Sequence, residues 1–283
     1  MAGKTIADLI KDRYGLAGEP GTDMPADSPA TSVLARILAR RSHRRYTGEA
    51  VPEPLMQVLF AAAFSASAKS DLQQSGVIRV KDPEKRAALQ TLAPSQTWIT
   101  DAPEFMVWVG DSRRIRRVAE MRGKPFANDH LDSFVNAATD TALAMQTFIL
   151  AAESQGLGCC PISQVRNDCE LVAHTLGLPG HVFPYAGLCL GWPSREGFVS
   201  LRLPPRVMVH VDSYDDTDLE AEIDGYDRRR DARFSIPAES RRGDERWGQA
   251  NFYGWSEDKA RQVAERERDG LGPFVRAQGI SLD

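Results

Sequence analysis

Four arginines crowd into six residues, Arg40-Arg41-Ser42-His43-Arg44-Arg45. Guanidinium forks grip phosphate oxygens two at a time, and a serine hydroxyl adds a donor, so this burst could hold a phosphomonoester. The same residues would also suit a solvated basic helix end that complements the helix dipole. Residue types alone leave both readings open. Nucleic acid is disfavoured as the partner, because 39 acids outnumber 35 bases and no further basic stripe extends the patch.

Two other stretches have the composition of ligand-facing backbone. Ser65 to Gln74 (SASAKSDLQQ) is short and polar, and could bring main chain and small side chains close to a flat ligand. On its residues alone, a plain connector is the expected reading. Gly156 to Gln164 (GLGCCPISQ) could turn N–H groups toward a ligand, or merely stop a helix and start a strand. No G-x-G-x-x-G, Walker A or G-x-S-x-G pattern occurs. His43, His130, His174, His181 and His210 lack metal-ligand spacing, and Cys159, Cys160, Cys169 and Cys189 form no C-x-x-C. No catalytic nucleophile–base pair and no metal site is expected. Chemistry in such a chain falls to a bound cofactor.

The elements that must position these stretches follow from periodicity. Residues 4–13 and 31–41 have helical apolar spacing, and the arginine burst closes the second. Between them lies a turn-rich segment, GEPGTDMPADSPATS. Pro52 and Pro54 suit the first turn of a helix through LMQVLFAAAF. Gly76–Val80 is expected as a strand, Asp82–Leu92 as a helix, and the unbroken apolar run Phe105–Val109 as a central strand. Leu131–Gln155 is the longest helical pattern, apolar on more than one face, and so suited to a core or a dimer seam, with Gly156 and Gly158 ending it. Strands are expected at Tyr185–Leu190 and Val207–Val211. Helices mixed with short strands predict an α+β or α/β chain.

A length of 283 residues with 42% apolar content supports a substantial core and excludes wholesale disorder. The first residues lack the apolar stretch of a secretory signal. The richest apolar stretch is broken by Asn136, Asp140, Gln146 and Glu153, which argues against a membrane span. With its few scattered cysteines, the chain is expected to be cytoplasmic.

From Ala39 to Tyr214 the order of segments resembles the FMN-dependent nitroreductase superfamily, most of all its oxygen-insensitive NADPH nitroreductase and flavin reductase P subgroup. The resemblance rests on Arg40-Arg41-Ser42-His43-Arg44, on Ser67 to Gln74 with Val77 to Val80, and on Ala151 to Gly158. It rests further on Gly187 to Pro193, followed by Arg202-Leu-Pro204 and Val209 to Tyr214. It implies an α+β fold with a mixed or antiparallel sheet flanked by helices, in an intertwined homodimer with FMN at the subunit interface. Residues 1–30 would be an N-terminal helix and loop, 31–214 the FMN-binding domain, and 215–283 an extension wrapping the body or partner subunit. Carried over by position, Arg40, Arg41, Ser42 and Arg44 would hold the FMN phosphate, with Ser200 and Arg202 joining later. Ala68, Lys69 and Ser70 would line the ribityl chain or ring edge. Gln96 would contact the flavin, and Pro161, Ile162, Ser163 and Gln164 would lie along the isoalloxazine. Lys69 stands where the family has hydroxyls, Ser163-Gln164 where the subgroup has Gly-Gly, and Ser200 where the family has lysine. The implied activity is ping-pong hydride transfer from NADPH or NADH to nitroaromatics, quinones or free flavin, with Arg228, Arg229 and Arg230 as candidates for the dinucleotide. Relatives that fragment flavin or dehalogenate, and a non-catalytic flavin or phosphate-ligand binder, are the alternatives.

Overall fold

A computed structural model describes residues 3–15, 27, 28 and 31–283. Most of the expected turn-rich segment before residue 31 lies outside the described residues. In chain order the helices are α1 (Ile6–Tyr14), α2 (Ser32–Ala39), α3 (Glu53–Ala63), α4 (Pro83–Gln90), α5 (Trp98–Asp101) and α6 (Arg113–Met121). They continue with α7 (Leu131–Ser154), α8 (Cys169–Leu176), α9 (Leu219–Arg233), α10 (Asp244–Trp247), α11 (Trp255–Val263) and α12 (Leu271–Ala277). The strands are β1 (Ser75–Arg79), β2 (Glu104–Asp111), β3 (Gly158–Ile162) and β4 (Val182–Gly191). The described chain divides into two compact units. One comprises Arg41–Gly197 with Arg268–Asp283, and the other Phe198–Glu267 with the described residues up to Arg40.

The larger unit is built on a sheet of order β1-β2-β4-β3, antiparallel throughout. Seven of the eight residues of β2 are buried, as an unbroken apolar run demands of a strand covered on both faces. Alternation sorts its side chains. Met106 and Trp108 join a core with α3 and α7, whereas Phe105, Val107 and Val109 join a second core with residues of α4 and α8. Cys159 belongs to the first core and Cys160 and Cys189 to the second, and all four cysteines are buried free thiols. Helix α7 buries Ala137, Ala144, Phe148 and Ala152, yet Leu131, Val135 and Leu143 stay exposed along another side. Gly156, at φ +84°, supplies the left-handed turn after α7, and Gly158 already begins β3.

In the smaller unit, α1 and α2 share the buried residues Ile6, Leu9 and Ala35. Tyr226 of α9 is buried and donates its hydroxyl to the Leu201 carbonyl at 3.1 Å. The expected strand at 207–211 is absent. A 3-10 turn occupies Pro205–Val207, and Val209 and Val211 are exposed. The Pro204 and Pro205 carbonyls accept the N–H groups of Val207, Met208 and Val209, taking the donors a ladder would need, and valines with no sheet partner to cover them gain nothing from an extended backbone.

Candidate functional site

Arg40 leaves helical geometry at φ −57°, ψ 137°, and the chain then runs extended. Backbone bonds dock this stretch beside β3 and the end of β4. His43 N–H donates to the Cys159 carbonyl at 2.9 Å, Thr47 N–H to Trp192 at 2.9 Å, and Ser194 N–H to Arg45 at 3.1 Å. The close approach requires Gly158, where a Cβ would stand 2.7 Å from the His43 Cβ. Tyr46 donates its hydroxyl to the His43 carbonyl at 2.6 Å, and burial holds its phenol well above the usual range. The bases of the burst therefore stand on a fixed main chain. Arg41 pairs with Glu196 at 2.6 Å and donates to the Gly197 carbonyl at 2.9 Å. Arg44 lies 5.7 Å over the Trp98 ring and forms no ion pair among the described residues.

In the smaller unit a residue that sequence reasoning missed gathers three of the expected ones. Arg13, 6% exposed, donates to the carbonyls of Leu38 at 2.9 Å, Ser200 at 3.1 Å and Arg40. Arg202 N–H donates to the Arg13 carbonyl at 2.9 Å, and the Arg202 guanidinium to the Ser200 hydroxyl at 2.7 Å. Arg40, Ser200 and Arg202 thus converge on one buried cation's backbone staple. Arg202 has no ion pair among the described residues.

Where β3 ends, Ile162 turns its side chain into the core, so only its backbone can face a ligand, and Pro161 has no N–H to offer. Ser163 and Gln164 start a 3-10 turn. Arg268, from the far end of the chain, donates to the Ser163 hydroxyl and the Asn167 side-chain oxygen, both at 3.2 Å. Asn167 in turn donates to the Leu92 carbonyl at 3.4 Å, in the turn that carries half-buried Gln96. Burial, and after it the Arg268 charge, hold Arg166 below the ordinary arginine range. The 163–167 turn is therefore tied to the turn after α4, braced by an arginine that sequence reasoning did not single out.

The stretch Ala68 to Gln74 is more than a connector. Ser70, Asp71 and Gln73 have φ of +48°, +58° and +52°, a left-handed conformation that non-glycine residues adopt only when the surroundings impose it. Asp140, 3% exposed on α7, imposes it. One carboxylate oxygen accepts Lys69 N–H and the other Gln74 N–H, both at 2.9 Å. Arg114 adds a bond to the Gln73 carbonyl at 2.5 Å. Ala68, Asp71 and Gln73 line a cavity of about 790 Å³, while Lys69, Ser70, Leu72 and Gln74 line a second of about 450 Å³.

These two groups stand at opposite edges of the sheet. The 68–74 turn leads into β1, and the arginine segment docks beside β3, three strand spacings away or about 14 Å. Among the described residues, no three His, Cys, Asp or Glu side chains are placed to share a metal ion, and no helix is long and apolar enough to cross a membrane.

Comparison with known proteins gives the family of the chain. The model of the nitroreductase family matches residues 37–192, and that of the family's C-terminal domain matches residues 200–283. The oxygen-insensitive NADPH nitroreductase of Salmonella typhimurium is 32% identical over 234 residues, covering 83% of this chain and 92% of its own. The NADPH-flavin oxidoreductase of Vibrio harveyi is 30% identical over 236 residues, with the same coverage of both. The solved structure of B. megaterium NfrA2 superposes with a TM-score of 0.80 at 31% identity, over 89% of this chain and 98% of that one. The chain belongs to the nitroreductase family and has its α+β fold.

Proposed function

We propose that this protein is an NAD(P)H-dependent FMN oxidoreductase that reduces electron-poor small molecules such as nitroaromatics, quinones or free flavin. The observation that carries the reading is the set of arginines held on rigid backbone, with Arg44 and Arg202 lacking any carboxylate partner among the described residues. A guanidinium without a carboxylate partner, set beside a serine hydroxyl as Arg202 is beside Ser200, matches the donor demand of a phosphomonoester tail. Relatives named as flavin and nitro reductases supply the chemical class.

In this reading Arg40, Arg41, Ser42, Arg44, Ser200 and Arg202 hold the FMN phosphate. Ala68, Lys69 and Ser70 border the ring edge or ribityl chain. Gln96 contacts the flavin, and Ser163, Gln164 and the backbone of Pro161 and Ile162 line its plane. When bound, FMN supplies the hydride chemistry. The chain supplies orientation, exclusion of water by its apolar walls, and positive potential from Lys69 that favours an anionic reduced ring. No side chain is assigned a proton transfer, since water can protonate the product.

A homodimer belongs to the same reading. Val58, Phe64, Leu131, Val135 and Leu143 are exposed along α3 and α7, an apolar surface that a second copy would cover. Two copies would also let the 68–74 turn of one complete the arginine side of the other. Four buried free thiols accord with a reducing, cytoplasmic location.

The test is the purified yellow protein mixed anaerobically with NADPH or NADH, followed by steady-state assay with a small acceptor panel. Rapid bleaching and parallel double-reciprocal lines are expected. Intersecting lines would rule out the ping-pong scheme. A bound flavin that neither nucleotide reduces would point to the binding-only alternative, and a colourless protein would remove the cofactor assignment.

A further inference from the structure

The smaller cavity beside the 68–74 turn has the size of a single-ring ligand site, about 450 Å³. Its walls are chemically divided. Ile115 and Phe126 give an apolar side, while Lys69, Ser133 and Asn136 give donors. Lys69 is exposed and forms no ion pair among the described residues. Ser133 is 4% exposed, lines the cavity, and its buried hydroxyl has no hydrogen-bond partner among the described residues. A buried hydroxyl left unpaired is costly, and a bound acceptor atom would relieve it.

Among the described residues the one carboxylate in the cavity wall is Asp132, and two features blunt it. It accepts the Asn136 amide at 2.8 Å, and it sits in the first turn of the 24-residue helix α7, where the helix dipole favours negative charge. Lys69 therefore keeps its attraction for an anion brought in from solvent.

We propose that this cavity binds small aromatic anions, and that it makes acceptors carrying a carboxylate or sulfonate the preferred substrates. The anion sits toward Lys69 and the Ser133 hydroxyl, and the ring toward Ile115 and Phe126. The substrate preference rests on the reductase reading above, whereas the binding site itself does not.

Two measurements separate them. Binding of unreactive benzoate and benzamide to the oxidised holoprotein is followed by ligand-observed NMR, in wild type, Lys69→Met and Ser133→Ala. Benzoate is expected to bind about tenfold tighter than benzamide, equivalent to about 1.4 kcal/mol. Lys69→Met should bring the two together, and Ser133→Ala should weaken benzoate alone. Turnover of 4-nitrobenzoate against 4-nitrobenzamide should then show a similar ratio of kcat/KM, lost in Lys69→Met. Equal binding of benzoate and benzamide, or benzoate binding indifferent to Lys69→Met, overturns the proposal. Selective benzoate binding with no turnover of either nitro compound would sink the reductase reading and leave the site standing.

Discussion

The Asp140 carboxylate accepts the main-chain N–H of Lys69 at 2.9 Å, so a charge buried in the longest helix dictates the backbone of a surface turn. Its second oxygen takes the Gln74 N–H at the same distance, and the three left-handed residues lie between those two anchors. A carboxylate can accept at both ends, which an amide cannot.

Asp140→Asn should therefore break one anchor. A hydrogen bond to a charged acceptor contributes about 1.5–3 kcal/mol, and the amide NH2 would face an N–H it cannot accept. Thermal denaturation should show a lowered Tm, and flavin titration a weakening of about tenfold or more. Unchanged values in both measurements would show that the turn holds its shape without the carboxylate.

Arg44→Gln and Arg202→Gln should each weaken FMN retention by about 10–100-fold, in line with the loss of a charge-assisted hydrogen bond to phosphate. Neither side chain forms an ion pair among the described residues, so Tm of the flavin-free protein should move little. Ultrafiltration followed by absorbance of the retained flavin checks the first expectation, and calorimetry the second.

Gly158→Ala places a methyl 2.7 Å from the His43 Cβ and 2.8 Å from the Pro193 Cγ. Neither atom lies at the tip of a flexible side chain, so the arginine segment must shift. Overpacking of this kind costs about 1–3 kcal/mol. A lower Tm should accompany faster flavin loss, and a crystal structure should show residues 41–46 displaced from β3.

His181 gives the chain a pH dependence. Burial holds its imidazole below the usual 6.5, with the Arg116 charge adding to the effect and Asp129 opposing it. A depressed folded-state value means that the unfolded chain takes up the proton first. Its contribution is complete above pH 6.5 and declines as the pH falls from there through the folded-state value. Tm measured between pH 8 and pH 5 should drop more for wild type than for His181→Asn, a residue that tolerates the left-handed φ of +67° found here. Parallel profiles would assign the acid sensitivity to other groups.

Much of this was legible in the residues. Phe105–Val109 announced a strand covered on both faces, and β2 extends it by only one residue before and two after. Leu131–Gln155 announced α7 to within one residue. What eluded the sequence was whatever long-range partners decide. Val207–Val211 has strand propensity but no neighbour to pair with. Arg13 looks like any exposed arginine of a short helix until the carbonyls of Leu38, Arg40 and Ser200 close around it. Asp140 was visible as an acid in an apolar helix, and served only to argue against a membrane span. Such an acid is costly to bury unless it is paired, which is the signal that could have led to the turn it holds.

The placement of the 68–74 turn and the arginine segment at opposite sheet edges has a genetic corollary. If each cofactor is clasped by two chains, a protomer defective at Asp140 and another defective at Arg44 are not equivalent failures. Co-expressed, they would assemble mixed pairs in which one clasp inherits both lesions and the other inherits none, so activity would reappear in a cell that holds no intact gene.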